Sequence, residues 1–348
     1  MSKEYLISGN FLGKETVGLT RKALQYVLQL DNYECARRLH IAVPEDLMPY
    51  CPQLCNIEVI SCKKNSKGWN TNVAMQMARK NKWTYVNFTS PFAVYGDSIV
   101  SIDDVRYMEK THDEWYDSYK FRKKMYFRAK IGTSVAGNIV TVSEFSKKRI
   151  MNFFNVKSDR IKVIPNGWEH ILHIKSDSDI YKKYDMLEKK EFFFTLGSLA
   201  KHKNHKFIIE LANNNPDRVF VVGGGIDPEI WFSGSEHKNT HNLIFTGRLS
   251  DGEMKFLMEK CRAFIFPSLY EGFGIPPLEA LACGTDVIVS DIEVHKEIFK
   301  NSVRYINPYD NNILLEDILS QKVEDSSSIL DNNSWKRAGE CWNELFSK

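Results

Sequence analysis

Short, β-rich apolar runs alternate with longer amphipathic stretches along this chain, and the alternation occurs twice. Runs with strand character are Tyr5–Ser8, Leu39–Val43, Ile57–Ser61, Trp83–Phe88, Ser98–Ile102 and Asn138–Val142, then Phe192–Leu196, Arg218–Val222, Asn242–Thr246, Ala263–Phe266 and Asp286–Ser290. Helical patterns fill many of the intervals: Gly18–Leu30, Trp69–Lys80, Ser143–Phe154, Lys206–Asn213 and Asp251–Cys261. Strands separated by helices pair in parallel, because each helix returns the chain along the sheet, so the pattern predicts α/β, doubly wound sheets. The polar break Ile174–Lys190 divides the two series, with a hinge near Pro165–Glu191. A chain of 348 residues suits two such domains. The expected division is 1–166, 167–330, and a last helix in 331–348 (about Ser334–Phe346) packing back on the first domain, with Asp325-Ser-Ser-Ser as the loop before it.

Composition narrows the function classes. Residues 1–166 hold 26 Lys and Arg against 16 Asp and Glu, while the remainder holds 21 against 28. The basic first half favours an anionic partner or is simply a solvated face. Seven scattered cysteines without ligand spacing fit reduced thiols and a cytoplasmic protein rather than a disulfide or zinc framework. The N-terminus lacks the apolar core of a secretory signal, and no apolar run approaches the ~20 residues of a spanning helix. Membrane contact is therefore expected to be peripheral, at the inner face of the cell membrane. Lys120–Lys130 has six cations interleaved with Phe121, Met125, Tyr126 and Phe127. Such a helix lies on anionic lipid, or buries its apolar stripe in the domain core; no recognised nucleic-acid module accompanies it.

The run Phe266-Pro-Ser-Leu-Tyr-Glu-Gly-Phe-Gly-Ile-Pro-Pro-Leu-Glu-Ala-Leu-Ala-Cys-Gly284 carries the chemistry. A strand ends at Phe266, a glycine-bracketed loop follows, and two prolines occupy the first turn of a helix. Amides at that helix start suit an anion such as a diphosphate. Glu271 in the loop and Glu279 in the helix suit the hydroxyls of two rings. Upstream, Thr195-Leu-Gly-Ser-Leu-Ala-Lys-His-Lys203-Asn204 follows a strongly apolar strand, and a lysine there suits a diphosphate. The pairs His170/His173, His202/His205 and His237/His241 lack a metalloprotease pattern and read as structural or surface residues. The neighbours Asp103 and Asp104 lack a further ligand, so no metal is expected.

These motifs resemble glycosyltransferase family 4, retaining enzymes of the GT-B fold in which two Rossmann-like domains face a cleft. Glu271 through Glu279 matches that family's Glu-x7-Glu motif; Val140–Lys147, Val163–Gly167, Phe245–Asp251 and Ala263–Ser268 fall in the family's order. The resemblance implies a nucleoside-diphosphate sugar donor, a hydroxyl acceptor on a glycan or lipid-linked glycan, and no cofactor. Glu271 is expected on the transferred sugar, Glu279 on the donor ribose and Lys203 on the phosphates. Gly18, Ser198, Gly272, Phe273, Gly274 and Ile275 complete the expected donor site. Ser198 stands where many relatives have arginine, and Asp103 where many have a histidine beside the transferred sugar; Asp103 joins Glu271 and Lys203 as a catalytic candidate. Cell-surface polysaccharide (O-antigen or capsule) synthesis is the implied setting. A GT-B phosphorylase, a sugar-nucleotide epimerase, and a non-catalytic sugar-nucleotide-binding protein are the alternatives.

Overall fold

A computed structural model describes residues 3–14, 18–94, 97–111, 114–198, 200–225, 241–310 and 312–347. The chain divides into two compact units. The first comprises Met1–Glu109, Asp117–Gly167 and Asn333–Lys348; the second comprises Lys110–Tyr116 and Trp168–Asn332. The segment 110–116, which the sequence reading leaves in the first domain, joins the second unit because Tyr116 is buried there against Leu269, Tyr270 and His202.

The strands in chain order are β1 (Tyr5–Ser8), β2 (Leu39–Pro44), β3 (Glu58–Cys62), β4 (Thr84–Asn87), β5 (Ser98–Ser101), β6 (Lys110–Thr111), β7 (Glu114–Trp115), β8 (Asn138–Thr141), β9 (Ile161–Val163), β10 (Phe192–Leu196), β11 (Val219–Gly223), β12 (Leu243–Gly247), β13 (Ala263–Phe266), β14 (Val287–Ser290) and β15 (Arg304–Ile306). The first unit has the parallel order β3-β2-β1-β4-β5-β8-β9 and the second the parallel order β12-β11-β10-β13-β14-β15. β6 and β7 form a separate antiparallel ribbon. In each large sheet the order reverses beside the first strand, and ligands of such sheets bind outside the carboxyl ends at that reversal. The reversals lie between β1 and β4 and between β10 and β13.

Parallel sheets covered on both faces require apolar side chains on both faces, and Phe192, Phe193 and Phe194 are all buried in β10. The strands outside the sequence-predicted set are the ribbon β6–β7 and the edge strands β9 and β15, each of two or three residues. Elements that short contain no period to read. The polar break holds two single-turn helices, Ile180–Lys183 and Met186–Lys189. Asp325-Ser-Ser-Ser, predicted as a loop, enters the helix Ser327–Asn332, whose first amide the Asp325 carboxylate caps at 2.9 Å.

The terminal helix Trp335–Phe346 packs on Gly18–Leu30 within the first unit. Tyr26 meets Trp335 and Trp342 edge-on, and Phe88 meets Trp342 at 4.8 Å. Trp342→Ala is expected to cost about 3–5 kcal/mol and to lower the first unit's thermal midpoint by roughly 6 °C or more, measured by calorimetry.

Candidate functional site

In the second unit β10 and β13 are neighbours at the order reversal, so the turns that follow them lie side by side. After β10 the chain passes Gly197 and Ser198 and makes the single turn Lys201–Lys203, ended by Asn204 in the left-handed conformation. Asn204 Nδ2 donates to the carbonyls of Pro267 (3.2 Å) and Pro308 (2.8 Å). The amide of Leu269 donates to the His202 carbonyl at 2.7 Å. These bonds stitch the two turns together. The neighbouring turn after β11 is held close as well: a Cβ on Gly224, whose φ is 123°, would stand 2.0 Å from the Gly197 carbonyl oxygen.

The stitching brings Lys203 and Glu271 together. Lys203 Nζ donates to Glu271 Oε1 at 2.6 Å and lies 5.0 Å from the ring centre of buried Phe266. The side chains are 18% and 14% exposed. Burial alone would raise the Glu271 pKa. The Lys203 and His202 charges, with the hydrogen bond from Lys203, outweigh it and hold the carboxyl at about 2. An ammonium and a carboxylate thus share one partly open spot at a site where parallel sheets bind ligands.

Beyond Glu271, Gly274 takes φ 115° and starts the helix Ile275–Ala282, with Pro276 and Pro277 in its first turn. Prolines lack the N–H, so amides for an anion here are limited to the loop and Ile275. Glu279 is buried one turn on, its Oε1 2.7 Å from Nε2 of buried His170. His170 comes from the turn Glu169–His173. His205 Nε2 donates to the Ser198 carbonyl at 2.8 Å, and burial lowers its pKa. His170, His202 and His205 are buried and form part of this site's frame, whereas His173 and His241 are exposed; His237 lies outside the described residues. His295, unremarked in the sequence, is fully buried beneath the loop.

Gly18 and Asp103 belong to the first unit. Gly18 opens the helix Gly18–Leu30; Thr16 and Val17 before it lie outside the described residues. The Asp103 carboxylate, a catalytic candidate by sequence, is paired with the buried Lys22 ammonium. Ser101 Oγ bonds both, at 3.0 Å from Lys22 Nζ and 2.9 Å from Asp103 Oδ1. Burial lowers the Lys22 pKa, and the Asp103 charge opposes that shift. Asp104 instead caps the Arg106 amide at 2.8 Å. Asp103, Asp104, Arg106, Tyr107 and Phe121 line a pocket of about 140 Å³. Lys22 gave no sequence signal, because a lysine in an amphipathic helix reads as solvated.

In the helix Tyr119–Val135, Met125 and Tyr126 pack partly buried against the first unit's core, as the core-packed alternative expects. Its buried residues are the small ones, Ala129, Gly132 and Thr133, while Tyr119, Phe121, Phe127 and Ile131 are exposed beside Lys120, Lys123, Lys124 and Lys130. Among the described residues no helix is long and apolar enough to cross a membrane, and no cluster of three or more His, Cys, Asp or Glu suits a metal ion.

Residues 176–339 match the family model for glycosyl transferases group 1. This stretch belongs to that family. It contains Ser198, Lys203, Glu271 and Glu279, so the stitched turns lie inside the glycosyl transferases group 1 region. Among curated relatives, the O-antigen chain mannosyltransferase RfbU of Salmonella typhimurium is 33% identical over 217 residues, 61% of this chain. That match spans 57% of the relative's length, so the chain covers little more than half of it. Among solved structures, Anabaena Alr3699/HepE, crystallised with UDP and glucose, matches with a TM-score of 0.67 at 16% identity over 99% of this chain and 100% of that one. WaaG, a glycosyltransferase involved in lipopolysaccharide biosynthesis, matches with a TM-score of 0.62 at 13% identity over 99% and 95%. The fold is GT-B, with two Rossmann-like sheets.

Proposed function

We propose that this chain is a retaining, metal-independent glycosyltransferase. It moves a hexose or deoxyhexose from a nucleoside-diphosphate sugar to a hydroxyl of a glycan or glycolipid acceptor in O-antigen or capsule synthesis. The observation that carries the reading is the Lys203–Glu271 pair at the β10/β13 reversal, with Glu279 in the helix that follows.

The pair works by exchange. Without donor, ammonium and carboxylate neutralise each other in a mostly buried spot. An arriving diphosphate brings more negative charge than one carboxylate and takes over Lys203. Glu271 is then released to accept hydrogen bonds from the sugar, while Glu279, held by His170, accepts from the ribose. As the bond between the sugar's anomeric carbon and the phosphate oxygen breaks, Lys203 and the loop amides stabilise the negative charge that builds on the diphosphate. The acceptor oxygen forms its bond to the same face of that carbon, and its proton passes to the departing phosphate oxygen. On the acceptor side, we propose Asp103, its Oδ1 held by Lys22 and Ser101, as the carboxylate that meets an incoming hydroxyl.

The test is release of nucleoside diphosphate from a panel including GDP-mannose and UDP-glucose, with and without a lipid-linked glycan acceptor. Acceptor-dependent release with the anomeric configuration kept in the product, read by NMR, is expected. Phosphate-dependent release of sugar phosphate, epimerised donor, or binding without turnover would each replace this reading by one of its alternatives. We further propose that Lys120–Lys130 rests on an anionic bilayer, its exposed aromatics in the interface. Each basic residue near such a surface contributes about 1 kcal/mol. Co-sedimentation with vesicles containing phosphatidylglycerol is therefore expected at low salt, and its affinity is expected to fall about a hundredfold or more in a Lys120→Glu, Lys123→Glu, Lys124→Glu variant.

A further inference from the structure

His295 has a lone pair with no partner. Its ring is fully buried in the helix Glu293–Phe299. Nδ1 donates to the Ser290 carbonyl at 3.0 Å, which fixes the tautomer and leaves Nε2 as an acceptor. That Nε2 has no hydrogen-bond partner. Burial brings the ring's pKa to about 4, so it is neutral at physiological pH. An unmet acceptor at this depth is destabilising unless something donates to it.

The direction of that atom matters. A Cβ placed on Gly274 would stand 3.7 Å from Nε2 and 3.3 Å from the Phe299 ring. Gly274 heads the helix that carries Glu279, three residues after Glu271. The His295 ring also packs on Phe266, the aromatic ring beside the Lys203 ammonium. Nε2 therefore faces Gly274 of the glycine loop, with the ring against the same Phe266 that the Lys203 ammonium overlies. The protein places a neutral acceptor where only a group bearing O–H or N–H would satisfy it.

We infer that His295 Nε2 accepts a hydrogen bond from a hydroxyl of the transferred sugar, directly or through one ordered water, and so takes part in selecting the sugar. This rests on the reading that the second unit binds a nucleoside-diphosphate sugar. His295 then differs from Glu271 in kind: a carboxylate favours any hydroxyl, whereas a single buried neutral acceptor favours one position on one ring.

The test is calorimetric titration of the full chain with GDP-mannose against GDP and UDP-glucose against UDP, using whichever pair the wild type binds. His295→Phe keeps an aromatic ring and removes both the Nε2 acceptor and the Nδ1 donor to Ser290, of which only the first would act on the sugar. It is expected to weaken the sugar nucleotide about tenfold relative to the nucleotide alone. His295→Gln, whose amide oxygen reaches the Nε2 position, is expected to restore most of that loss, and the shorter His295→Asn is not. Equal weakening of both members of the pair, or of neither, would mean that Nε2 meets only a structural water and would overturn the inference. If His295→Phe fails to fold, the Gln and Asn variants give the same decision. Should the wild type bind neither pair, the donor-site reading falls and takes this inference with it.

Discussion

Lys203→Ala is expected to lower sugar transfer at least a hundredfold with the fold intact, and Glu271→Ala to do the same. For lysine the reason is electrostatic: its ammonium is the full positive charge paired with Glu271 in the turn after β10, and leaving-group stabilisation by one such group is worth about 10²–10³ in rate. Initial rates with saturating donor, together with circular dichroism and thermal midpoints, check this. Near-normal turnover in both variants would refute the assignment. Removing Lys203 also removes the largest influence holding the Glu271 carboxyl ionised, so its pKa is expected to rise from about 2 toward or above the ordinary range. A carboxylate NMR titration would follow that rise.

The same shift predicts acid behaviour. Glu271 has a folded-state pKa of about 2 against about 4.3 in an unfolded chain. A depressed pKa contributes stability that is fully present above the unfolded value. That stability is lost as pH falls from about 4.3 through about 2, and amounts to at most about 3 kcal/mol. Glu271→Gln is expected to flatten the fall in stability across this window, read by denaturant unfolding at stepped pH.

The second large effect belongs to Glu279 and His170. The 2.7 Å contact between Glu279 Oε1 and His170 Nε2 is buried on both sides. Glu279→Ala is expected to weaken donor binding about tenfold to a hundredfold, because it removes the ribose acceptor and leaves His170 Nε2 without its partner. His170→Phe leaves the carboxylate in place but lets it turn. It is expected to raise the donor KM while leaving kcat within about threefold, because ribose recognition is shared by ground and transition states. Steady-state kinetics on both variants, with thermal midpoints to separate unfolding from weakened binding, decide it. An unchanged donor KM in folded Glu279→Ala would remove that residue from the site.

Much of the architecture was legible beforehand because parallel sheets buried on both faces need long apolar runs. β1, β10 and β13 have the very ends that the sequence marks. The glycine-bracketed stretch from Glu271 to Glu279 was legible for a related reason. Close backbone approach and a proline-led helix start each tolerate few residue types, so the local string betrays the local shape.

Side-chain pairings at long range were not legible. His170 meets Glu279 across 109 positions, and Lys22 meets Asp103 across 81. Tyr116 joins a unit other than the one its sequence neighbours suggest. The strand β1 was marked by its short apolar run and the helix Gly18–Leu30 by its period, both properties of adjacent residues. Whether a buried histidine or lysine is partnered, and by what, depends on which turns the sheet order sets side by side. His295 shows the difference: its sequence context is that of any helix, and only the placement of Ser290, Phe266 and Gly274 around it leaves one nitrogen bonded and the other open.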